Sequence, residues 1–323
     1  MTRYRVGVIG LGKQGWQADQ DEGRPHPRSH VSAWQNCPRA EFWGGCDTNL
    51  SVVTPFRQFR LDGYAPGLDI VSVATPPDTH REIITACVST GVRLIVCEKP
   101  LASTAQEAAA IVEACRVAGT PLLVNHGRRF HPLIRIVQQQ VKARIGKPLW
   151  ASAWTSGGLW ENQIHMVDLL RFFLGDAGWV YATWKGPCGE QGENGYVMTL
   201  QFTSGAYAVI HAGDIRRYVQ SDLHLFGERG SLHLLRYGLH VVWQGVDDQY
   251  PLAGGYSRLT LADMDSAPPT TFLREMTEHA CDILEGTVAP WCSGEDGLAA
   301  VQVCEAAERS LAAGSMVIVP GST

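Results

Sequence analysis

The sequence predicts an α/β protein that opens on a doubly wound parallel sheet of Rossmann type and continues into a second, strand-rich α/β domain. Three observations carry this. Apolar strand-like runs alternate with capped helical segments up to about residue 125. Gly10, Gly12 and Gly15 form G-x-G-x-x-G directly after the first run. The length of 323 residues exceeds one typical domain and suits two.

The elements follow in order. "RYRVGVIG" is β-rich and ends in glycines, so it reads as the first strand, and no leader segment is expected ahead of it. "HVSAWQN" reads as a helix and "EFWGGCD" as a second strand. "DIVSVATPP", "RLIVCEKP" and "PLLVNHG" supply three more. Continuous Val/Ile/Leu runs of this kind suit parallel strands buried on both faces. Asp78 is placed to cap the helix "THREIITACVST", which stops at Gly91. Thr104 and Glu107 have capping-box spacing ahead of "AAAIVEACRVA", which stops at Gly119 before Pro121. In the second half, "LWASAWTS", "WVYATWKG", "YVMTLQFTSG", "AYAVIHAGDI", "DLHLFGERG" and "SLHLL" are strand-like runs separated by turn signals. The expected division is a dinucleotide-binding domain over 1–124 and a substrate-binding and oligomerisation domain over 125–323.

Composition narrows the function. A net charge of −5 argues against a nucleic-acid partner held through phosphates. No apolar run approaches the roughly 20 residues of a membrane span. The nine cysteines form no C-x-x-C pair and mostly sit in apolar runs, which suits reduced, buried thiols in a soluble cytoplasmic protein.

The glycine motif points to a dinucleotide. Gly10 permits the tight turn, Gly12 lets the backbone approach a pyrophosphate, and Gly15 lets helix and strand pack closely. Asp47, ending the second strand, suits the adenosine ribose hydroxyls and would repel a 2′-phosphate. It lies well beyond the usual spacing of about 20 residues. The surplus is Gln17 to Ser29, polar with two prolines, which reads either as a surface loop or as a lid or subunit contact. NAD is favoured over NADP, although Arg24 or Arg28 on that loop could reverse the preference.

One later stretch invites chemistry. In "GGLWENQIHMVDLL", read as a helix, Glu161, His165 and Asp168 fall at i, i+4 and i+7 and share one face. A metal site, an acid/base site and a buried polar cluster are the three readings. No third and fourth ligand are evident beyond the Glu-x-x-x-His pair, so metal is disfavoured.

The motifs "GVIGLGKQG", "VATPPDTH", "CEKPLA", "GRRFHP", "GKPLW" and "GGLWENQIHMVDLLRFFLGD", in this order, resemble the Gfo/Idh/MocA family, the glucose-fructose oxidoreductase and inositol dehydrogenase group. The tail "GEDGLAAVQVCEAAERSLAAGSMVIV" is similar to the last helix and strand of that family. The resemblance implies a Rossmann domain followed by an α/β domain with a large open, mostly antiparallel sheet. It implies an NAD(P)-dependent dehydrogenase or reductase acting on a secondary hydroxyl or ketone of a sugar, cyclitol or related polyol, with NADP use still open. It implies cofactor contacts from Gly10, Gly12, Lys13, Gln14, Gly15, Asp47, Thr75, Pro76, His80, Glu98, Lys99 and Asn125. Glu98 would face the nicotinamide ribose, and a cis Lys99–Pro100 bond is compatible with the turn.

By the same resemblance His165 is the base that takes the hydroxyl proton, and Lys99 stabilises the alkoxide and relays the proton. Glu161 stands where aspartate is commoner and orients His165 and substrate with one methylene more reach. His126, Arg128, Trp160, Glu161 and Asp168 are expected near substrate, with Asp168 also suited to holding the histidine or a helix end. Arg128 and Arg129 could equally bridge domains, and most of the ten tryptophans are packing residues. Family members often pair their sheets face to face, which implies a homodimer or homotetramer. Two rivals use the same dinucleotide: glycoside cleavage by oxidation and elimination, and a non-catalytic regulatory partner.

Overall fold

A computed structural model describes residues 3–20, 26–49, 54–59, 67–247, 255–268 and 272–321. The chain forms two compact units, Met1–His131 with Thr270–Val301, and Pro132–Pro269 with Gln302–Thr323. The expected break at 124/125 thus differs in two ways: residues 125–131 stay with the first unit, and a later segment returns to it.

The first unit contains a parallel sheet of β1 (Tyr4–Ile9), β2 (Ala40–Cys46), β3 (Ile70–Val73), β4 (Leu94–Cys97) and β5 (Leu122–Val124), in the order β2-β1-β3-β4-β5. The order reverses between β1 and β3, which makes that edge a topological switch point. Leu94 to Cys97 are wholly buried, as expected for a central strand covered on both faces. Helices α1 (His30–Asn36), α2 (His80–Val88) and α3 (Ala105–Ala118) connect the strands.

Helix α3 has the ends its sequence predicts. Thr104 accepts a hydrogen bond from the Glu107 amide at 3.2 Å, and Gly119 stops the helix at φ 67°. Helix α2 does not. A 3-10 turn over Pro77–Thr79 precedes it, its N-cap is Thr79, and no side chain caps it. The proline makes its own rigid entry, so Asp78 is not the cap expected.

The insertion splits one helix. The Gln14 and Gly15 carbonyls accept from the His30 and Val31 amides, both at 3.0 Å. The Trp16 and Ala18 amides bond back to the Gly12 and Lys13 carbonyls at 2.9 and 2.8 Å, so α1 resumes the helical bonding of the glycine turn after the insertion. Asp19 ties the loop shut, accepting from the Arg28 amide at 2.8 Å and the Ser29 hydroxyl and lying 3.1 Å from His26 Nδ1. Burial opposes ionisation of Asp19, yet these hydrogen bonds lower its pKa. Arg24 lies outside the described residues.

The second unit is built on nine strands. After α4 (Pro132–Ile145) come β6 (Pro148–Ser156), a π-turn over Leu159–Gln163, and α5 (Ile164–Leu174). Strands β7 (Ala177–Pro187), β8 (Asn194–Phe202), β9 (Tyr207–Gly213), β10 (Ser221–Gly227), β11 (Gly230–Leu235), β12 (His240–Asp247) and β13 (Arg258–Ser266) follow. The sheet order is β13-β12-β11-β10-β6-β9-β8-β7-β14, where β14 is Val317–Ile318. Among the described residues of this sheet only β6 and β9 pair in parallel. Strands β12 and β13 had no separate expectation: β13 is exposed along its length, so it lacks the half-buried alternation that marks a strand.

Helix α6 (Leu273–Leu284) and the start of α7 (Gly294–Ala313) complete the first unit. Arg39, just past α1, pairs with Glu278, Asp282 and Glu285 at 3.5, 2.6 and 2.7 Å. The Val124 amide donates to the Cys292 carbonyl at 2.9 Å. These bonds explain why a late segment belongs with the parallel sheet. All nine cysteines are free and buried, and no helix among the described residues is long and apolar enough to cross a membrane.

Thr104→Ala removes the cap of α3 and is expected to lower stability by about 1 kcal/mol, read from the urea midpoint of the first unfolding transition.

Candidate active site

The site in the first unit follows from strand register. Cys46, Ile9, Val73, Cys97 and Val124 form one row across β2, β1, β3, β4 and β5. The next residue of each strand is therefore Asp47, Gly10, Ala74, Glu98 and Asn125. All stand at the carboxyl edge of the sheet, where ligands of open α/β sheets bind.

The glycine turn leaves room for a ligand only where one is needed. Gly10 has φ 90°, and a Cβ there would meet the Ala74 and Thr75 backbone at 2.7 Å. A Cβ on Gly15 would collide with the Gly10 carbonyl oxygen. At Gly12 it would meet nothing within 4 Å. Gly10 and Gly15 are thus required by packing, while Gly12 borders open space fit for a pyrophosphate. Lys13 and Gln14, on the same turn, are exposed. Asp47 accepts from the Leu11 amide at 2.7 Å and the Asn49 amide at 2.8 Å, one on each carboxylate oxygen. Each oxygen keeps a second lone pair for a ribose hydroxyl.

At the β4 end the structure shows a buried polar chain that the sequence did not announce. Glu98 Oε1 accepts from His30 Nε2 at 2.8 Å and from Asn125 Nδ2 at 2.7 Å, and Oε2 accepts from the Lys99 amide at 3.1 Å. His30 Nδ1 lies 2.6 Å from Ser72 Oγ. Burial by itself would raise the pKa of Glu98. The hydrogen bond and charge of His30, the Asn125 amide and the Lys99 ammonium outweigh it and hold the pKa down at about 2. Lys99 is half-buried, and the Lys99–Pro100 bond is cis.

Asn125 also answers whether a nicotinamide fits. Its Oδ1 is buried and has no hydrogen-bond partner, an orphaned acceptor on a residue that stands at the carboxyl edge of the sheet. Together with the space at Gly12 and the spare acceptors of Asp47, it makes the residues fit the cofactor.

Other expected contacts sit differently. His80 is fully buried, with Nδ1 3.0 Å from the Leu101 carbonyl and Nε2 2.9 Å from the Thr75 carbonyl. It supports the half-buried Thr75 and exposed Pro76 from behind and offers no open face for a cofactor. His126 and Arg128 belong to the first unit, around a 3-10 turn over Gly127–Phe130, and both are buried. Arg129 pairs with Asp296 at 3.1 Å and donates to the Trp291 carbonyl at 3.2 Å, inside the same unit.

In the second unit, Glu161, His165 and Asp168 do not share one regular helix. Glu161 lies in the π-turn, where the Gln163 amide reaches the Gly158 carbonyl at 3.1 Å, and α5 begins at Ile164. The wider turn changes the angular offset of Glu161 from the other two, and its Oε2 turns back to the Gly158 amide at 3.4 Å. Gln163 pins the turn to β8, donating to the Tyr196 carbonyl at 2.8 Å and accepting from its amide at 2.7 Å. His165 and Glu161 are half-buried, while Asp168 is buried. Trp160 donates its indole N–H to Glu308 at 3.0 Å, so its ring orientation is fixed within the unit. Among the described residues no cluster of three or more His, Cys, Asp or Glu could hold a metal ion.

Comparison with known proteins finds relatives for both parts of the chain. Residues 4–126 match the family model described as an oxidoreductase family with an NAD-binding Rossmann fold. Residues 134–233 match the GFO/IDH/MocA C-terminal domain. The chain is 27% identical over 241 residues to a D-apiose dehydrogenase of Paraburkholderia graminis, spanning 64% of each protein, just under two thirds of that relative. It is 28% identical over 258 residues to a 1,5-anhydro-D-fructose reductase of Ensifer adhaerens, covering 72% of this chain and 74% of the relative. A solved oxidoreductase from Agrobacterium radiobacter, in complex with NAD+, L-tartaric acid and magnesium, has the same fold. The TM-score is 0.77 at 22% identity, over 98% of this chain and 99% of that one.

The depressed pKa of Glu98 sets an acid limit. A carboxylate held below its unfolded pKa of about 4.3 contributes stability above that value and loses it as pH falls toward 2. Thermal unfolding between pH 5 and pH 2.5 should show this loss, and Glu98→Gln should flatten it. Asn125→Ala, which removes one donor from the buried carboxylate, should cost about 1.5–3 kcal/mol at neutral pH.

Proposed function

We propose, for a chain that belongs to the Gfo/Idh/MocA oxidoreductase family, that its reaction is the reversible oxidation of a secondary hydroxyl on a sugar, cyclitol or related polyol. The observation that supports this best is the register row that sets Asp47, Gly10, Glu98 and Asn125 along one sheet edge, with Lys99 next to Glu98. NAD, when bound there, supplies the hydride acceptor. Two relatives are named for apiose and 1,5-anhydrofructose, which supports a small polyhydroxylated compound as substrate.

In this reading Gly12 gives the pyrophosphate access to the backbone, and Asp47 binds the adenosine ribose hydroxyls. A 2′-phosphate there would meet the Asp47 carboxylate, so NAD is preferred to NADP. Asn125 Oδ1 accepts a hydrogen bond from the nicotinamide side. Lys99 donates to the substrate oxygen and stabilises the alkoxide that forms as the proton departs. His165 takes that proton, because imidazole is the side chain whose ordinary pKa lies near neutrality. Glu161 orients substrate from the π-turn, and buried Asp168 steadies α5.

The second unit also supports self-association. Trp150, Trp154, Tyr207, His211, His224, Phe226 and His233 lie on one face of the sheet. Trp150 stacks on Phe226 at 3.8 Å, and His224 on His233 at 4.1 Å. Trp150 and Tyr207 remain 36% and 47% exposed, a flat aromatic face suited to the same face of a second copy. A charge there, as in Trp150→Glu, is expected to shift the sedimentation profile toward monomer while far-UV circular dichroism is unchanged.

Lys99→Ala and His165→Ala should each lower kcat on the active polyol by about 10²- to 10⁴-fold. The substrate is to be found by screening NAD(H) and NADP(H) against sugars, cyclitols and their keto forms. Wild-type turnover in both variants would sink the assignment.

A further inference from the structure

We infer that His30 is a positioning residue of the hydride-transfer site: acting through Glu98 and Asn125, it fixes the strand end that carries Lys99. The inference rests on the proposed role of Lys99.

Four observations lead there. His30 is fully buried at the first position of α1, on the carboxyl side of the sheet. Both its ring nitrogens are engaged, Nε2 with Glu98 at 2.8 Å and Nδ1 with Ser72 at 2.6 Å. Ser72 is on β3, Glu98 ends β4 and Asn125 follows β5, so the chain of bonds crosses three adjacent strands. Its far end is the Lys99 amide, held by Glu98 Oε2 at 3.1 Å.

An ionised carboxylate only accepts hydrogen bonds, so His30 Nε2 must carry the proton toward Glu98. The Ser72 hydroxyl can donate to Nδ1 or accept from it, so the bond survives in either charge state of the ring. Glu98 is thereby locked in one rotamer by two side-chain donors. With that rotamer fixed, Oε2 holds the amide of Lys99, and the backbone from which the ammonium extends cannot drift. Without His30 the carboxylate keeps Asn125 alone on Oε1 and can rotate away from the Lys99 amide. Displacement of a reacting group by about 1 Å can cost on the order of 100-fold in rate.

The insertion fits the same picture. The insertion ends immediately before His30, and the Gln14 and Gly15 carbonyls accept from the His30 and Val31 amides. The Asp19 clasp on Ser29 and Arg28 closes the loop beside it. The insertion thus ends with His30 bonded back to the glycine turn. Removing the ring should disturb Lys99 and leave the dinucleotide cradle of Gly10, Gly12 and Asp47 intact.

The test compares His30→Ala, His30→Gln and Ser72→Ala with Lys99→Ala in the full chain. In His30→Ala, kcat should fall roughly 10- to 100-fold while the NAD dissociation constant stays within about threefold. Independently of turnover, the rate at which acetic anhydride labels the Lys99 amine in protein free of dinucleotide, read by peptide mass spectrometry, should change at least ~3-fold. His30→Gln, whose amide nitrogen can still donate to Glu98, should restore most of both readouts. Ser72→Ala keeps the Glu98 bond and should give a smaller change in the same direction, so a folding failure of His30→Ala would not end the test. Unchanged Lys99 labelling and kcat in His30→Ala and Ser72→Ala, with only a lower melting temperature, would overturn the inference. If Lys99→Ala turned over normally while labelling still responded to His30, the role of Lys99 would fail and the positioning by His30 would stand.

Discussion

The first unit is organised around one buried carboxylate. Glu98 sits at the end of a central strand, and a charge there is tolerated only because donors from two other segments, His30 and Asn125, and the amide of the next residue converge on it. That requirement fixes where α1 must begin, which rotamer Asn125 takes and how the chain turns at Lys99. A buried charge of this kind is a weak source of net stability, because desolvation consumes much of the pairing energy. Its effect is to make one arrangement of three strand ends far better than its neighbours.

The parallel sheet turns that local requirement into a site. Because all five strands run the same way, their carboxyl ends fall in one row, and each contributes a residue of different character. A carboxylate at Asp47, the glycine turn at Gly10, an anchored anion at Glu98 and an orphaned amide oxygen at Asn125 follow the order of the strands along that edge. The inserted loop does not disturb the row, since the helix hydrogen bonds close over its base. Sequence length between motifs is therefore a poor guide to their distance in space.

The second unit solves a different problem. Its π-turn inserts a wider coil ahead of α5, and Gln163 meets both polar backbone groups of Tyr196 to hold it. Wide turns of this type are costly and persist where the surrounding structure fixes them. Here the consequence is that Glu161 and His165 diverge from the alignment a regular helix would give. The extra methylene of glutamate, set beside that altered offset, makes the reach of the carboxylate a product of side-chain length and backbone geometry together.

Much of this was legible in the sequence. The five parallel strands, the glycine turn, the Thr104 cap and the six strands from β6 to β11 were written in short-range patterns: apolar runs, residues tolerant of positive φ, and side chains that bond their own backbone within four residues. The cap expected at Asp78 and the single helical face through Glu161 and Asp168 differ in the structure for one reason. In each case the local pattern was correct for an isolated segment, and a neighbouring turn or carbonyl redirected it. His30 had no local signal beyond its place at a helix start, because its partner Glu98 lies 68 residues away. By itself the sequence determined which segments are strands and helices and which turn admits a phosphate, since those preferences are settled by the few residues involved. The tertiary structure alone decided which buried polar groups meet, and that the segment over 272–301 returns to the first unit. Such pairings depend on the sheet order and register that bring distant residues within hydrogen-bond reach.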